Sequence, residues 1–252
     1  MRNIRVIARL DVKGPNLIKG IQLEGLRVVG DPQSFSNDYF AQGIDEILYM
    51  DAVASLYGRN SLTDIVARVS QNIFVPITVG GGIRSVDDAW ALFRCGADKV
   101  ALNTAAIAHP ELITQISQRF GNQALVISIE AKAKADGSWE AYVDNGREKT
   151  GVDAIAWAKE VEKRGAGEIL LTSIDREGTQ RGFDLSLIEK VSKEVNIPVI
   201  ASGGMGTLED FKSCVLGACA DAVAIAHVLH YKKFSVGDIK TYAVTNQIPV
   251  RP

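Results

Sequence analysis

Two apolar runs in this sequence end in a carboxylate that is followed two residues later by Lys. "VIARLDVKG" (6–14) carries Asp11, and "VISIEAK" (126–132) carries Glu130. Two carboxylic side chains at strand ends, in different surroundings, commonly act as one general acid and one general base. The alternative is a pair of solvated acids, each bound to its own Lys. Their equivalent positions in an internal repeat, described below, favour the catalytic interpretation.

Glycine-rich turns are the second feature that could do chemistry. "GGG" (80–82) and "SGGMG" (202–206) follow apolar runs and precede helical patterns, as do "LNTAA" (102–106) and "IAHVL" (225–229). Glycine lets a backbone approach a phosphate closely, and N–H groups at a helix start bind anions. One such turn is weak evidence, but two at equivalent positions predict a ligand with a phosphate at each end. The candidate phosphate-binding residues are Gly81, Gly82, Asn103, Thr104, Gly203, Gly204 and His227.

The elements that must position these residues are short β-branched runs separated by amphipathic stretches of helical length. The eight runs are residues 4–10, 46–50, 76–79, 99–102, 125–129, 168–174, 198–201 and 222–225. Continuous apolar strands that alternate with helices indicate a parallel sheet covered by helices. Eight such units predict an α/β fold of the (β/α)₈ TIM-barrel type, with a doubly wound open sheet as the alternative.

An internal repeat favours the barrel. "VPITVGGGIRSVDD" (75–88) aligns with "IPVIASGGMGTLED" (197–210), and Asp11 aligns with Glu130, at an offset near 120 residues. The chain is therefore predicted to be a single barrel domain (1–252) made of two similar half-barrels, about 1–122 and 123–252. Because barrel active sites lie at the C-terminal strand ends, the two acids should face each other across one mouth. The phosphate sites should then lie at strands 3–4 and 7–8.

Composition excludes several other classes of function. The formal net charge of −2 over 252 residues gives no reason to expect a nucleic acid or membrane partner. The three cysteines have no metal-type spacing, and no His/Cys cluster is present, so neither a metal nor another cofactor is expected. No apolar run reaches 18 residues, and the predicted location is the cytoplasm.

Several motifs resemble one family over essentially the whole chain. "LDVKG", "TVGGGIRS", "GADKVALNTAA", "GAGEILLTSIDREGT" and "IPVIASGG" are similar to the cyclase subunit of imidazole glycerol phosphate synthase. The resemblance implies a lyase of histidine biosynthesis that forms a heterodimer with a glutamine amidotransferase (glutaminase). Ammonia from the glutaminase would cross the barrel and react with a bis-phosphorylated ribulosyl aminoimidazole carboxamide nucleotide. The implied products are imidazole glycerol phosphate and the aminoimidazole carboxamide ribotide.

The resemblance also implies roles for residues away from the two acids. Two basic and two acidic residues, Arg5, Glu46, Lys99 and Glu168, match a ring that gates ammonia entry at the barrel base. A purely structural ring is the alternative, because buried charges must be paired. Asp98 is similar to a residue at the partner interface. Lys19, Asp175 and Glu177 correspond to loop residues near the substrate, although a solvated position is the commoner case for a loop Lys such as Lys19.

Four residues near the predicted mouth depart from the family pattern. Glu130 and Glu177 stand where the family has Asp, His227 stands where a small Ser contacts phosphate, and Arg9 replaces a small residue. One extra methylene moves a carboxylate by roughly 1–1.5 Å, and a 1 Å misplacement can cost about a hundredfold in rate. His227 is either a packed imidazole or a cation near phosphate. Arg9 is predicted within or just beneath the mouth, where it binds an anion or occupies substrate space.

These departures leave a second function open. The segment "RLDVKGPNLIKGIQLEGLRVVG" (9–30) also resembles a paralogous branch in which the barrel passes ammonia to an enzyme that forms acetamidino groups on surface-polysaccharide (O-antigen) sugars. A third reading, an isomerase of the same fold, is disfavoured by the charged ring. Turn signals at Asp136-Gly137 and Asn145-Gly146 around "SWEAYV" predict a β-hairpin over the site, as a lid or a partner contact.

Overall fold

A closed barrel of eight parallel strands forms the centre of the protein. The computed structural model describes residues 3–54 and 62–251. Its strands, in chain order, are β1 (Arg5–Lys13), β2 (Asn16–Ile21), β3 (Glu24–Gly30), β4 (Glu46–Asp51), β5 (Ile77–Gly80), β6 (Lys99–Leu102), β7 (Leu125–Ala133), β8 (Trp139–Val143), β9 (Glu148–Asp153), β10 (Glu168–Ser173), β11 (Val199–Ser202) and β12 (Ala222–Ile225). The barrel order is β1-β4-β5-β6-β7-β10-β11-β12, and β12 pairs with β1 to close it. The (β/α)₈ prediction is confirmed, and the open-sheet alternative is wrong.

Helices connect the barrel strands on the outside. They are α1 (Pro32–Ala41), α2 (Thr63–Val69), α3 (Val86–Arg94), α4 (Thr104–Ala108), α5 (Glu111–Phe120), α6 (Ala154–Lys163), α7 (Leu185–Glu194), α8 (Leu208–Lys212), α9 (His227–His230) and α10 (Val236–Thr245). Ser85 and Thr207 begin α3 and α8 with capping boxes. The glycine turns therefore precede these caps and do not themselves open the two helices. Among the described helices, none has the length and apolar character that a membrane span requires.

Strand β1 illustrates why the barrel strands have continuous apolar sequences, since its side chains are buried on both faces of the sheet. Its residues Val6, Ala8 and Leu10 pack into the large core between sheet and helices. Ile7 belongs to a second cluster inside the barrel, together with residues such as Val126. Because side chains alternate along a strand, Arg9 and Asp11 lie on the same inward side as Ile7. The interior is thus apolar at mid-height and polar towards the mouth.

Each of the two carboxylate-bearing strands continues into an antiparallel hairpin. β1 pairs with β2 and β2 with β3, whereas β7 pairs with β8 and β8 with β9. The hairpin around "SWEAYV" is confirmed, and β2–β3 is a second hairpin that was not predicted from the sequence. The division into half-barrels near residue 122 stays a prediction, although this strand–hairpin unit occurs on both sides of it.

Candidate active site at the barrel mouth

Four charged side chains close the base of the barrel in a ring. Arg5 Nη1 donates to Glu46 Oε2 at 2.7 Å and to Glu168 Oε2 at 3.2 Å. Lys99 Nζ donates to Glu46 and to Glu168 Oε1, both at 3.1 Å. Burial lowers the pKa of Arg5, but Glu168 and Glu46 outweigh this effect and raise it overall. The four residues that the sequence grouped as a gate are therefore brought together, with each cation between both acids.

Arg9 lies inside the barrel beneath the mouth, as predicted. Its Nε donates to Asp11 Oδ1 at 2.9 Å, and its Nη1 reaches across to Thr172 Oγ1 at 2.8 Å and Ser202 Oγ at 3.1 Å. The side chain is 3% exposed. Burial opposes the charge, but Asp11 and Glu177 overcome it, so the pKa of Arg9 is raised. Arg9 thus occupies interior space beside β10 and β11 and holds the Asp11 carboxylate.

Glu130 is buried at the opposite side of the mouth. Burial raises the pKa of its carboxyl to about 7, which Arg9 and the Gly146 backbone N–H partly oppose, while Asp11 raises it further. Its Oε2 atom has no hydrogen-bond partner within the described ranges. A carboxyl group whose pKa is close to neutral pH, and whose Oε2 atom is available to a ligand, is suited to exchange a proton with that ligand.

A cavity of about 330 Å³ opens beside Glu130. Its walls include the predicted phosphate residues of strands β5 and β6, namely Gly81, Gly82, Asn103 and Thr104. Gly81 has φ +106°, and a Cβ there would lie 2.7 Å from the Asp51 carbonyl oxygen, so only glycine fits. The structure therefore brings one predicted phosphate cluster and one predicted acid into the same cavity.

The equivalent cluster at β11 and β12 lines a much smaller space. Gly203, Gly204 and His227 surround a cavity of about 20 Å³, together with Arg9 and Lys19. Asp11 lines a third space of about 10 Å³. The two acids were expected to share one mouth, but they lie in different cavities here, and Asn145, in the turn after β8, lines both of these cavities.

Lys19 and Glu177 form an ion pair that lines both of the small spaces. Lys19 Nζ donates to Glu177 Oε1, and both side chains are buried, with 3% and 6% exposed. Leu23 N donates to Glu177 Oε2 at 3.0 Å, which ties the β2–β3 hairpin to the same carboxylate. The solvated position expected for Lys19 is therefore wrong. Asp175 lies nearby and accepts from Ala133 N at 2.8 Å, so it orders the end of β7.

His227 lies at the outer wall of the small cavity. Burial and then Lys19 lower its pKa, with Lys233 adding to this effect and Glu177 opposing it. The neutral imidazole is therefore favoured over the cation, which was the alternative for His227. Its Nε2 is 2.9 Å from Gln180 Nε2, which fits a neutral ring that accepts through this nitrogen.

A family model described as "Histidine biosynthesis protein" matches residues 5–235 of this chain. The chain belongs to this family. An imidazole glycerol phosphate synthase subunit HisF from Legionella pneumophila is 65% identical over 211 residues, 84% of this chain and all of that protein. The subunit HisF of Trichormus variabilis is 46% identical over 100% of this chain and 99% of its own. That of Prochlorococcus marinus strain MIT 9312 is 48% identical over 99% of this chain and 98% of its own.

The named relatives bear on the functions that the sequence left open. The relatives named above support the cyclase-subunit reading, and none of them favours the surface-polysaccharide alternative. In the residues that the structure describes, no group of three His, Cys, Asp or Glu side chains is placed to hold a metal ion. Asp98, the predicted interface residue, is exposed beside the ring, and its Oδ2 accepts from Ile77 N at 2.8 Å.

Two further residues of the larger cavity were missed from sequence. Asp51 and Arg84 both line it, Asp51 at the C-terminal end of β4 and Arg84 in the turn before α3. Asp51 follows an apolar run just as Asp11 and Glu130 end theirs, so the same strand-end criterion could have found it. Arg84 lies within "TVGGGIRS", two residues beyond the glycine turn, and offered a cation beside the predicted phosphate.

Proposed function

We propose that this chain is the ammonia-using cyclase subunit of imidazole glycerol phosphate synthase, a lyase that works in the cytoplasm as a heterodimer with a glutaminase. Family membership along the chain supports this, together with one observation that carries most weight. A closed ring of two cations and two anions lies at the base of a barrel whose mouth holds two carboxyls. An isomerase of the same fold, which uses no ammonia, gives no reason for such a ring.

Ammonia would enter through the ring and cross the barrel interior. Each cation contacts both acids, so at least one of the four side chains would have to move aside as ammonia passes. Above the ring, Leu48 and Val126 belong to the apolar interior cluster, which admits neutral ammonia more readily than ammonium. Arg9 lies against β10 and β11, so ammonia would instead pass Ala101 of β6, which lines the larger cavity.

The chemistry at the mouth needs protons moved as the ammonia nitrogen is incorporated and the imidazole ring closes. Asp11 and Glu130 would serve as the acid and base, and they are the catalytic residues of this proposal. A group with a pKa near the working pH transfers protons efficiently in either direction, which suits Glu130. The breakdown of the bis-phosphorylated substrate yields imidazole glycerol phosphate and the aminoimidazole carboxamide ribotide.

The two phosphates of the substrate would be held at the two glycine clusters. Gly81, Gly82, Asn103 and Thr104 would bind one phosphate, with Arg84 of the same cavity nearby. Gly203, Gly204 and His227 would bind the other. Lys19, Asp175 and Glu177 would cover the substrate from the hairpin side, and Asp98 would face the glutaminase at the base.

The test is turnover of the ribulosyl aminoimidazole nucleotide by the purified chain with ammonium at high pH. The comparison is Glu130→Asp, because shortening the side chain moves the carboxylate by roughly 1–1.5 Å, enough to change the rate by about a hundredfold. Glu148→Asp, on the exposed strand β9, is the matched control and should leave the rate unchanged. If a folded chain that still stimulates a glutaminase forms no product in either form, the proposed cyclase activity is wrong.

A further inference from the structure

The candidate site is divided into separate spaces in a way that a substrate with two phosphates cannot use. The cavity beside Glu130 measures about 330 Å³, whereas the space at Gly203 and Gly204 measures about 20 Å³. A single water needs about 10–15 Å³ of such volume, so the smaller space holds about one water. A phosphate, with four oxygens around phosphorus, does not fit there unless a side chain moves.

The side chain that stands in the way is an anion. Glu177 accepts from Lys19 through Oε1 and from Leu23 N through Oε2, and its own carbonyl oxygen accepts from Gln22 N at 2.9 Å. Three contacts therefore fasten the β2–β3 hairpin to this one residue. The Glu177 carboxylate satisfies Lys19 inside the protein in the way that a phosphate oxygen would.

The cations around the smaller space are suited to a phosphate. Arg9 and Lys19 both line it, and His227 adds a polar nitrogen. Arg9 is paired with Asp11, and Lys19 is paired with Glu177. A phosphate dianion carries more charge than the Glu177 carboxylate, so it can replace that carboxylate as the partner of Lys19.

We propose that Glu177 determines the order in which the chain accepts the two phosphates, because its carboxylate holds the place of the second one. The free chain binds one phosphate, in the cavity lined by Gly81 and Gly82. The phosphate at Gly203 and Gly204 binds only after Lys19 exchanges Glu177 for it. This inference rests on the proposed function for the assignment of the two phosphate sites. It adds that Glu177 gives the two sites different affinities for phosphate.

The exchange of partners would also loosen the hairpin beside Asp11. Once Glu177 leaves Lys19, the hairpin loses its contact at Leu23, and the space of about 10 Å³ around Asp11, which Lys19 and Glu177 both line, can widen. Binding of the second phosphate would thus give the substrate access to Asp11, and a compound with one phosphate would not.

The experiment is a titration of the full chain with inorganic phosphate, followed site by site through backbone amide NMR shifts. In the wild type, Gly81, Gly82 and Thr104 should respond first, and Gly203 and Gly204 only at concentrations at least tenfold higher. In Glu177→Gln, which removes the charge and keeps an acceptor, the second group should respond at least tenfold earlier than in the wild type. Glu24→Gln removes an exposed charge from the same hairpin and should behave like the wild type.

Hydrogen exchange at Leu23 gives a readout that needs no variant. Its amide is bonded to Glu177, so exchange in the wild type should accelerate as the second phosphate binds and not as the first one does. Equal affinities at both glycine clusters in the wild type, or a Leu23 amide that stays protected at saturation, would overturn the inference and leave the proposed function standing. If phosphate shifts neither cluster in any variant, both the inference and the assigned phosphate sites are wrong.

Discussion

Replacing Glu130 with Gln should make the protein more stable, and more so at high pH. The pKa of this buried carboxyl is raised from 4.5 to about 7, so the folded chain keeps a proton that the unfolded chain releases. Stability present below about pH 4.5 is therefore lost as the pH rises to about 7. At about 1.4 kcal/mol per pH unit, the loss reaches about 3 kcal/mol. Gln resembles the neutral carboxyl and has no proton to lose.

The assay is urea unfolding of the wild type and Glu130→Gln at several pH values. The difference in the free energy of unfolding between them should be larger at pH 8 than at pH 5 by about 2–3 kcal/mol. Glu148→Gln, at an exposed position, controls for the loss of a negative charge and should show no such trend. A difference for Glu130→Gln that is the same at both pH values would refute the reasoning, because Glu130 would then titrate as an ordinary carboxyl.

Three further predictions concern Lys99 at the barrel base, Gly204 in the second glycine turn and the buried His230 of α9. Lys99→Met breaks the contacts with both ring glutamates and should lower the free energy of unfolding by about 1–3 kcal/mol, less than a fully buried pair would. Glutamine-driven turnover should fall while ammonium-driven turnover persists, and equal losses would argue against a gate. Gly204→Ala places a Cβ 2.2 Å from the Gly182 carbonyl oxygen at φ +119°, so urea unfolding should show a loss above about 1 kcal/mol, and unchanged stability would contradict this. Burial lowers the pKa of His230 to about 4, so the wild type should lose about 3 kcal/mol as the pH falls from 6.5 to 4, and His230→Gln should escape this loss in the same unfolding assay.

The barrel strands could be predicted because each one is buried on both faces. Such strands read as continuous β-branched runs, and the internal repeat fixed their number and order. The hairpin β8–β9 was also predictable, because Asn145-Gly146 is a strong turn signal. The turn between β2 and β3 is made by Gln22 and Leu23, with φ of 54° and 64°. Neither residue type favours positive φ, so the sequence contains no signal for this hairpin.

Some residues of the candidate site could be predicted from the sequence, and the contacts between distant segments could not. Strand-end acids and glycine turns follow from position along a strand, so Glu130 and Gly81 could be placed from sequence. The pairing of Lys19 with Glu177 joins residues 158 positions apart. It depends on how far the hairpin folds back over the mouth, and no local pattern records that distance. The pairing of Arg9 with Thr172 and Ser202 depends in the same way on the barrel's stagger.

The ring at the base has a consequence for how the two halves of the chain recognise each other. The predicted first half supplies Arg5, Lys99 and Glu46, and the second supplies Glu168 alone. At the positions that align with Arg5 and Lys99, the second half has Ala124 and Ala222. Two copies of the first half would bring a surplus of cations together, and two copies of the second would bring two acids together without a counter-charge. Separately produced half-barrels should therefore associate with each other in preference to forming homodimers. The charge balance of the ring would then select the correct pairing when the barrel is split into two chains.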